Sequence, residues 1–155
     1  MHKCSDVMTK NPHCCLPHDT VSKLAKLMGK KNIGPVLIVE NEQTLKLAGI
    51  VTDRDLALKI VAEERDPRTT QAEEVMTRNV VTVRADDDVE KALDLMTKHQ
   101  LRRIPVLDSS DRLVGILAQA DVATRVDQPE KTAAVVKGIS QARATGQQQG
   151  AVARE

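Results

Sequence analysis

Apolar residues recur along this chain in two rhythms, and the whole order of rhythms occurs twice. Residues 13–16 predict a short strand. Asp19 or Thr20 can then cap a helix from 21 to about 30, because Val21, Leu24, Ala25 and Met28 recur at helical spacing. The run Val36-Leu37-Ile38-Val39 is continuously apolar and rich in β-branched side chains, as a buried strand requires. Polar residues 40–44 predict a turn, and 47–51 a strand that pairs back as a hairpin. Thr52 or Asp53 can cap a second helix, with Leu56, Leu58, Ile60 and Val61 as its expected buried positions.

The stretch 62–72 is charged and polar, contains Pro67, and reads as a linker. The order then returns. Residues 80–83 predict a strand, and 89–98 a helix with Val89, Ala92, Leu93 and Met96 inward. Residues 104–107 and 113–117 predict a hairpin, and a helix starts near Asp121. Beyond the repeat, Pro129 suits an early helical position. An extra helix is expected over 130–142, its Ala133, Val136 and Ile139 able to dock on the core or on another subunit. The Gln- and Gly-rich stretch 146–155 predicts disorder.

The duplication is also literal. Val7-Met8-Thr9-Lys10-Asn11 returns as Val75-Met76-Thr77-Arg78-Asn79, Leu27-Met28 as Leu95-Met96, and Gly49-Ile50-Val51 with Asp55 as Gly115-Ile116-Leu117 with Asp121. Two such units imply an α+β fold in which similar halves pack face to face about a pseudo-twofold axis. A cleft with two related ligand positions follows.

Composition narrows the function. The net charge of +1 removes a broad electrostatic drive toward nucleic acid or an anionic membrane. No apolar run is long enough to cross a bilayer, and residues 1–6 lack a stretch of signal-peptide type. Three cysteines are an odd number, which disfavours a disulfide framework and makes a reducing cytoplasm the expected location. The chain has no Phe, Tyr or Trp. A flat ligand would therefore lie between aliphatic side chains and be read by backbone groups. The stacking platforms used for single-stranded nucleic acid are missing as well.

Two clusters carry candidate chemistry. Gly49-Ile50-Val51-Thr52-Asp53-Arg54-Asp55 stands at a strand-to-helix junction. A helix N-terminus offers unpaired N–H groups and partial positive charge, which suit an anion. The Thr52 hydroxyl can cap the helix or bond a phosphate oxygen, and Asp55 can accept two hydrogen bonds from a ribose diol. An ordinary cap followed by a solvated first-turn acid would read the same. Arg102-Arg103 precedes the strand Ile104-Pro105-Val106. Two planar guanidinium forks suit phosphate, though a surface pair or partners for Asp86, Asp87 and Asp88 would read the same. His2, Cys4, His13, Cys14, Cys15 and His18 offer soft ligands, but their spacing matches no compact zinc pattern. Cys15 also aligns with the core position Val83. No metal site and no cofactor are expected.

With these residues in place, the chain resembles a tandem pair of cystathionine-β-synthase (CBS) domains, a Bateman module, over about residues 5–126. The resemblance rests on Asp6-Val7-Met8-Thr9 and Glu74-Val75-Met76-Thr77, the helices ending in Leu27-Met28 and Leu95-Met96, and Arg103-Ile104-Pro105-Val106. The remaining pieces are Gly49 to Asp55 and Gly115-Ile116-Leu117 with Asp121. It divides the chain into a repeat at 5–61, a linker at 62–72, a second repeat at 73–126 and a C-terminal segment at 127–155. It implies β-α-β-β-α units packed through their sheets, an adenosyl ligand (AMP, ADP, ATP or S-adenosylmethionine) in the cleft, and frequent homodimerisation. Thr52 and Asp55, with Asp53 between them, match the ribose and phosphate contacts of the first unit. Asp121 matches the ribose-binding acid of the second, and Arg103 with Arg102 the phosphate-neutralising position. Two departures stand out. Ala118 replaces the hydroxyl that corresponds to Thr52, and Gly34-Pro35 stands where the second unit has Arg102-Arg103.

The expected role is a regulatory, energy-sensing module whose output passes to an unidentified protein partner or to its own oligomeric state. A ligand-free dimeric interaction module is the rival reading. A nucleotide hydrolase is a remote third, because no nucleophile elbow, Walker loop or metalloprotease motif is present. A non-enzyme is therefore expected.

Overall fold

The computed structural model of the chain describes residues 2–125. The helix expected at 130–142 and the tail at 146–155 lie outside the described residues. In chain order the elements are α1 (Cys4–Val7), β1 (Thr9–Lys10), β2 (Cys14–Cys15), α2 (Val21–Lys31), β3 (Pro35–Val39), β4 (Leu47–Thr52) and α3 (Asp53–Leu56), which runs into a π-helical turn at Ala57–Val61. Then follow α4 (Ala72–Val75), β5 (Val83–Arg84), α5 (Val89–His99), β6 (Arg103–Leu107), β7 (Leu113–Ala118) and α6 (Gln119–Arg125). They form two compact units, one from residues 13–80 and one from 2–12 together with 81–125.

In the 13–80 unit, β2, β3 and β4 make a three-stranded sheet, β2 parallel and β4 antiparallel to the central β3. All of β3 is buried, as its unbroken apolar run requires. Helix α2 starts at Thr20, whose hydroxyl accepts from the Lys23 N–H at 3.3 Å, and it ends at Asn32 in the left-handed conformation. Val21, Leu24 and Met28 are buried on it. Ala25, expected on the same stripe, faces outward. The second helix also corrects its expected pattern. Ile60 is buried and Leu56 packs beside it, but Leu58 is 46% and Val61 75% exposed. Leu56 and Ile60 are about one turn apart and share a face, whereas Leu58 stands on the opposite side of the turn.

The 62–72 stretch is held against this unit. Val21 N–H donates to the Thr70 carbonyl (2.9 Å), Ser22 N–H to that of Pro67 (3.0 Å) and Ala72 N–H to that of Asp19 (2.8 Å). Thr70 is buried, its hydroxyl satisfied by the Asp66 carbonyl at 2.8 Å.

In the other unit, the sheet order is β1-β7-β6-β5. Val89, Ala92, Leu93 and Met96 of α5 bury as their spacing predicts, against Val83, Ile104, Val106, Leu117 and Val122. The strand expected at 80–83 begins only at Val83.

The sequence repeats and the compact units begin at different places. The segment that opens the first repeat, α1 with β1, pairs antiparallel with β7 (Thr9 opposite Ile116, Lys10 opposite Gly115). The segment that opens the second repeat, α4 and Thr77, lies on β4. There Ile50 and Thr77 exchange two backbone hydrogen bonds of 3.0 and 2.9 Å. The chain therefore folds into two mixed helix–sheet units, each holding the leading segment of the other sequence repeat.

Candidate functional site

Each hairpin delivers its last strand residue to the start of a helix, and each of these junctions carries an acid. In the 13–80 unit, Thr52 closes β4 and caps α3. Its hydroxyl accepts from the Asp55 N–H at 3.2 Å, and Asp55 Oδ2 accepts from the Thr52 N–H at 2.9 Å. This reciprocal capping box satisfies two N–H groups that a helix start leaves unpaired. Asp55 Oδ1 lies 3.3 Å from Lys59 Nζ, with the Asp55 side chain 18% and the Lys59 side chain 39% exposed. A carboxylate has about four lone-pair sites, so Thr52 N–H and Lys59 leave room for two further donors. Asp53 is exposed. Its carboxylate accepts from the Arg54 N–H (2.8 Å), and its own N–H donates to the Gly34 carbonyl (3.0 Å). Gly34 and Pro35 are buried and bring no charge to this junction.

The equivalent junction of the other unit is built on the same plan with different side chains. Ala118 closes β7 and supplies no hydroxyl, so only half of the capping box remains. Asp121 Oδ2 accepts from the Ala118 N–H at 3.3 Å, and also from the Thr9 hydroxyl at 3.4 Å. Gln119 N–H donates to the Arg102 carbonyl (3.0 Å), the counterpart of the Asp53–Gly34 bond. Arg103 opens β6 directly opposite Ala118. Both arginines are half-buried and stand at the junction that carries Asp121. Gln119 Oε1 is buried there without a hydrogen-bond partner, an acceptor whose burial is costly until a donor reaches it. The six residues singled out in the sequence thus fall into two groups, Thr52, Asp53 and Asp55 in one unit and Arg102, Arg103 and Asp121 in the other.

The structure adds residues the sequence reading passed over. Lys59 Nζ donates to the Val75 carbonyl at 2.8 Å. Arg125 Nη1 donates to the Val7 carbonyl at 2.7 Å and to that of Met8 at 3.3 Å. The two cations hold the same station in the two repeats, each clamping the end of an opening helix. Superposing the repeats on Asp55 and Asp121 brings Lys59 onto Arg125, so the signal was present in the sequence.

All three cysteines are free thiols. Burial, reinforced by Asp87 and Asp88, pushes Cys4 up to about 11, and burial with the adjacent Cys15 pushes Cys14 up to about 11. Cys15 is raised too, again mainly by burial. The thiolate that binds metal is disfavoured in each case. Among the described residues no group of three or more His, Cys, Asp or Glu is placed to hold a metal ion. No helix of the described residues is long and apolar enough to cross a membrane.

The CBS domain family profile matches residues 4–62 and 72–127. A CBS domain-containing protein of Bacillus subtilis, YhcV, is 35% identical over 140 residues, covering 90% of this chain and 96% of its own. Hypoxic Response Protein I, whose crystal structure holds two coordinated zinc ions, superposes with a TM-score of 0.73 at 33% identity, over 81% of this chain and all of that one. The CBS domain pair of protein MJ0100, in complex with 5-methylthioadenosine and S-adenosyl-L-methionine, gives 0.68 at 32% identity over 80% of this chain and 94% of its own. CBSX2 in complex with AMP gives 0.67 at 26% identity, over 80% and 95%.

Proposed function

We propose, because the chain belongs to the CBS-domain family, that it is a regulatory module which binds an adenosyl compound and converts occupancy into conformational or oligomeric change. The observation that carries this reading is the repeated strand-to-helix junction with its acid, Thr52–Asp55 and Ala118–Asp121. Related CBS pairs hold S-adenosylmethionine, methylthioadenosine or AMP, which supports the ligand class.

The junctions are chemically unequal, and so are their preferred ligands. Arg102 and Arg103 near Asp121 favour a phosphate-bearing adenosyl group such as AMP, ADP or ATP. The neutral, buried Gly34–Pro35 near Asp55 favours a group with little or no phosphate, such as S-adenosylmethionine. Without aromatic residues, adenine rests on aliphatic side chains. The module binds without turning its ligand over, since no base and nucleophile converge on either junction, and it works in a reducing cytoplasm where its thiols persist.

Its output passes through a second copy of the chain. The 13–80 unit carries an apolar groove of about 320 Å³ lined by Val21, Ala25, Leu56, Ile60 and Val61, with Glu64 and Arg65 beside it. Ala25 stands where the other repeat has the buried Leu93. The exposed Val61 beside this hollow can enter the same hollow of a second copy, as a two-fold contact requires. An Ala25→Leu variant, which fills the hollow, is expected to shift the chain toward monomer in light scattering. An unchanged mass would remove the groove from the interface.

A second reading has its own observation. Both acids already serve as helix caps, and Asp55 also faces Lys59, so a ligand-free interaction module would keep the same bonds. Calorimetric titration with AMP, ADP, ATP and S-adenosylmethionine separates the two. Saturable binding of one of them supports the sensor, and no heat from any of the four supports the interaction module.

A further inference from the structure

We propose that Lys59 is a positioning residue that holds Asp55 and couples it to the exchanged segment 72–77. Lys59 Nζ is a bridge in a short chain of contacts. On one side it lies 3.3 Å from Asp55 Oδ1, and on the other it donates to the Val75 carbonyl at 2.8 Å. Val75 ends α4, and two residues later Thr77 makes its paired backbone bonds with Ile50 of β4. The acid at the junction and the segment that crosses the strand before it are thus tied to one ammonium group. The bond to a carbonyl at a helix C-terminus is the favourable end for a cation.

The other repeat shows that the arrangement is a recurring device with interchangeable parts. Arg125 clamps Val7 and Met8 as Lys59 clamps Val75. There the acid reaches the opening segment directly, Asp121 accepting from the Thr9 hydroxyl at 3.4 Å. In both units the junction acid is linked to the exchanged segment, by Lys59 in one and by Thr9 in the other. Donors that draw on Asp55 therefore act on the segment through Lys59. That use of the link rests on the adenosyl-binding reading, whereas the link itself belongs to the free chain.

The test is hydrogen–deuterium exchange of the full chain without ligand, read at the Ile50 and Thr77 amides. Lys59→Met keeps the length and removes the charge. It should speed exchange at both amides about tenfold, the scale of one lost hydrogen bond from a charged donor. Lys59→Arg, the residue found at the matching station, should restore protection. The discriminating variant is Asp55→Asn, which alters a side chain bonded to Thr52 and paired with Lys59, both outside 72–77. It should also speed exchange at Thr77, and combined with Lys59→Met it should add little. Thr52→Ala breaks the cap while leaving the Lys59 pair, and should leave Thr77 protected. If Asp55→Asn leaves Thr77 unchanged, or Thr52→Ala loosens it equally, Lys59 is a local clamp and the proposal is overturned. These outcomes need no ligand, so they stand or fall apart from the adenosyl reading.

Discussion

Met76 crosses Gly49 so closely that a β-carbon on that glycine would lie 2.7 Å from Met76 Sδ and 2.8 Å from the Thr77 carbonyl oxygen. Met8 stands over Gly115 in the same way. The glycine in each Gly-Ile strand is therefore the floor on which the opposite repeat's leading segment rests. Gly49→Ala and Gly115→Ala are expected to destabilise the protein by about 1–3 kcal/mol each, the usual penalty for overpacking, seen as a lowered urea midpoint. Gly29 is the internal control. It sits in α2 with open space where a β-carbon would go, so Gly29→Ala should stabilise by about 0.5–1 kcal/mol.

The two junctions differ by one hydroxyl, which can be moved. Thr52→Ala removes the side-chain cap of α3 and should cost about 1 kcal/mol in thermal or urea unfolding. Ala118→Ser supplies the missing half of the box above Asp121. It should raise stability by a few tenths to about 1 kcal/mol and tighten nucleotide binding if that junction holds ligand. A variant that gains stability while affinity stays flat would assign the position to capping alone.

Asp55→Ala should weaken nucleoside binding by about 1.5–3 kcal/mol, the range for hydrogen bonds to a charged group. Arg102→Ala and Arg103→Ala should weaken AMP while leaving adenosine nearly unchanged, because only the former carries phosphate. Calorimetry with the two ligands reads both effects. Equal losses for AMP and adenosine in the arginine variants would place those side chains away from phosphate.

The thiols make a prediction about pH. Cys4 and Cys14 stand at about 11 in the folded chain against 9.0 when unperturbed. Between these values the unfolded chain has released protons that the folded chain still holds, so stability falls as pH rises. The contribution is complete below about pH 9 and is lost as pH climbs through about 11. Urea midpoints at pH 8 and pH 10.5 should show this loss, and a Cys14→Ser variant should show less of it. Iodoacetamide at pH 8 should label the native chain far more slowly than the unfolded one.

Much of this was legible in the residues, for physical reasons that can be named. The helix over 21–30 announced itself because Val21, Leu24 and Met28 recur every three to four residues, and α5 repeats the stripe. Leu58 and Val61 misled because a dense apolar run carries no phase of its own, and the turn around them fixes the face. The exchange of leading segments was not legible. Strand β1 is two residues long, too short to show a pattern, and its partner β7 lies near the other end of the described chain. Only the glycines beneath Met8 and Met76 hinted at a close crossing. Thr52 as the cap of α3 was legible because cap chemistry is local. Lys59 was missed because its partner Val75 contributes a backbone carbonyl, so the only sequence mark of the clamp is the alignment of Lys59 with Arg125.

The central claim is that this chain carries an adenosyl ligand, and the absence of Trp and Tyr makes it directly measurable. The chain itself contributes almost nothing near 260 nm. The protein would be purified gently, denatured and filtered, and the filtrate separated by chromatography with mass detection. The account predicts an adenosyl compound at close to stoichiometric amount. An empty filtrate, together with no thermal shift on adding AMP, ADP, ATP or S-adenosylmethionine, would contradict it.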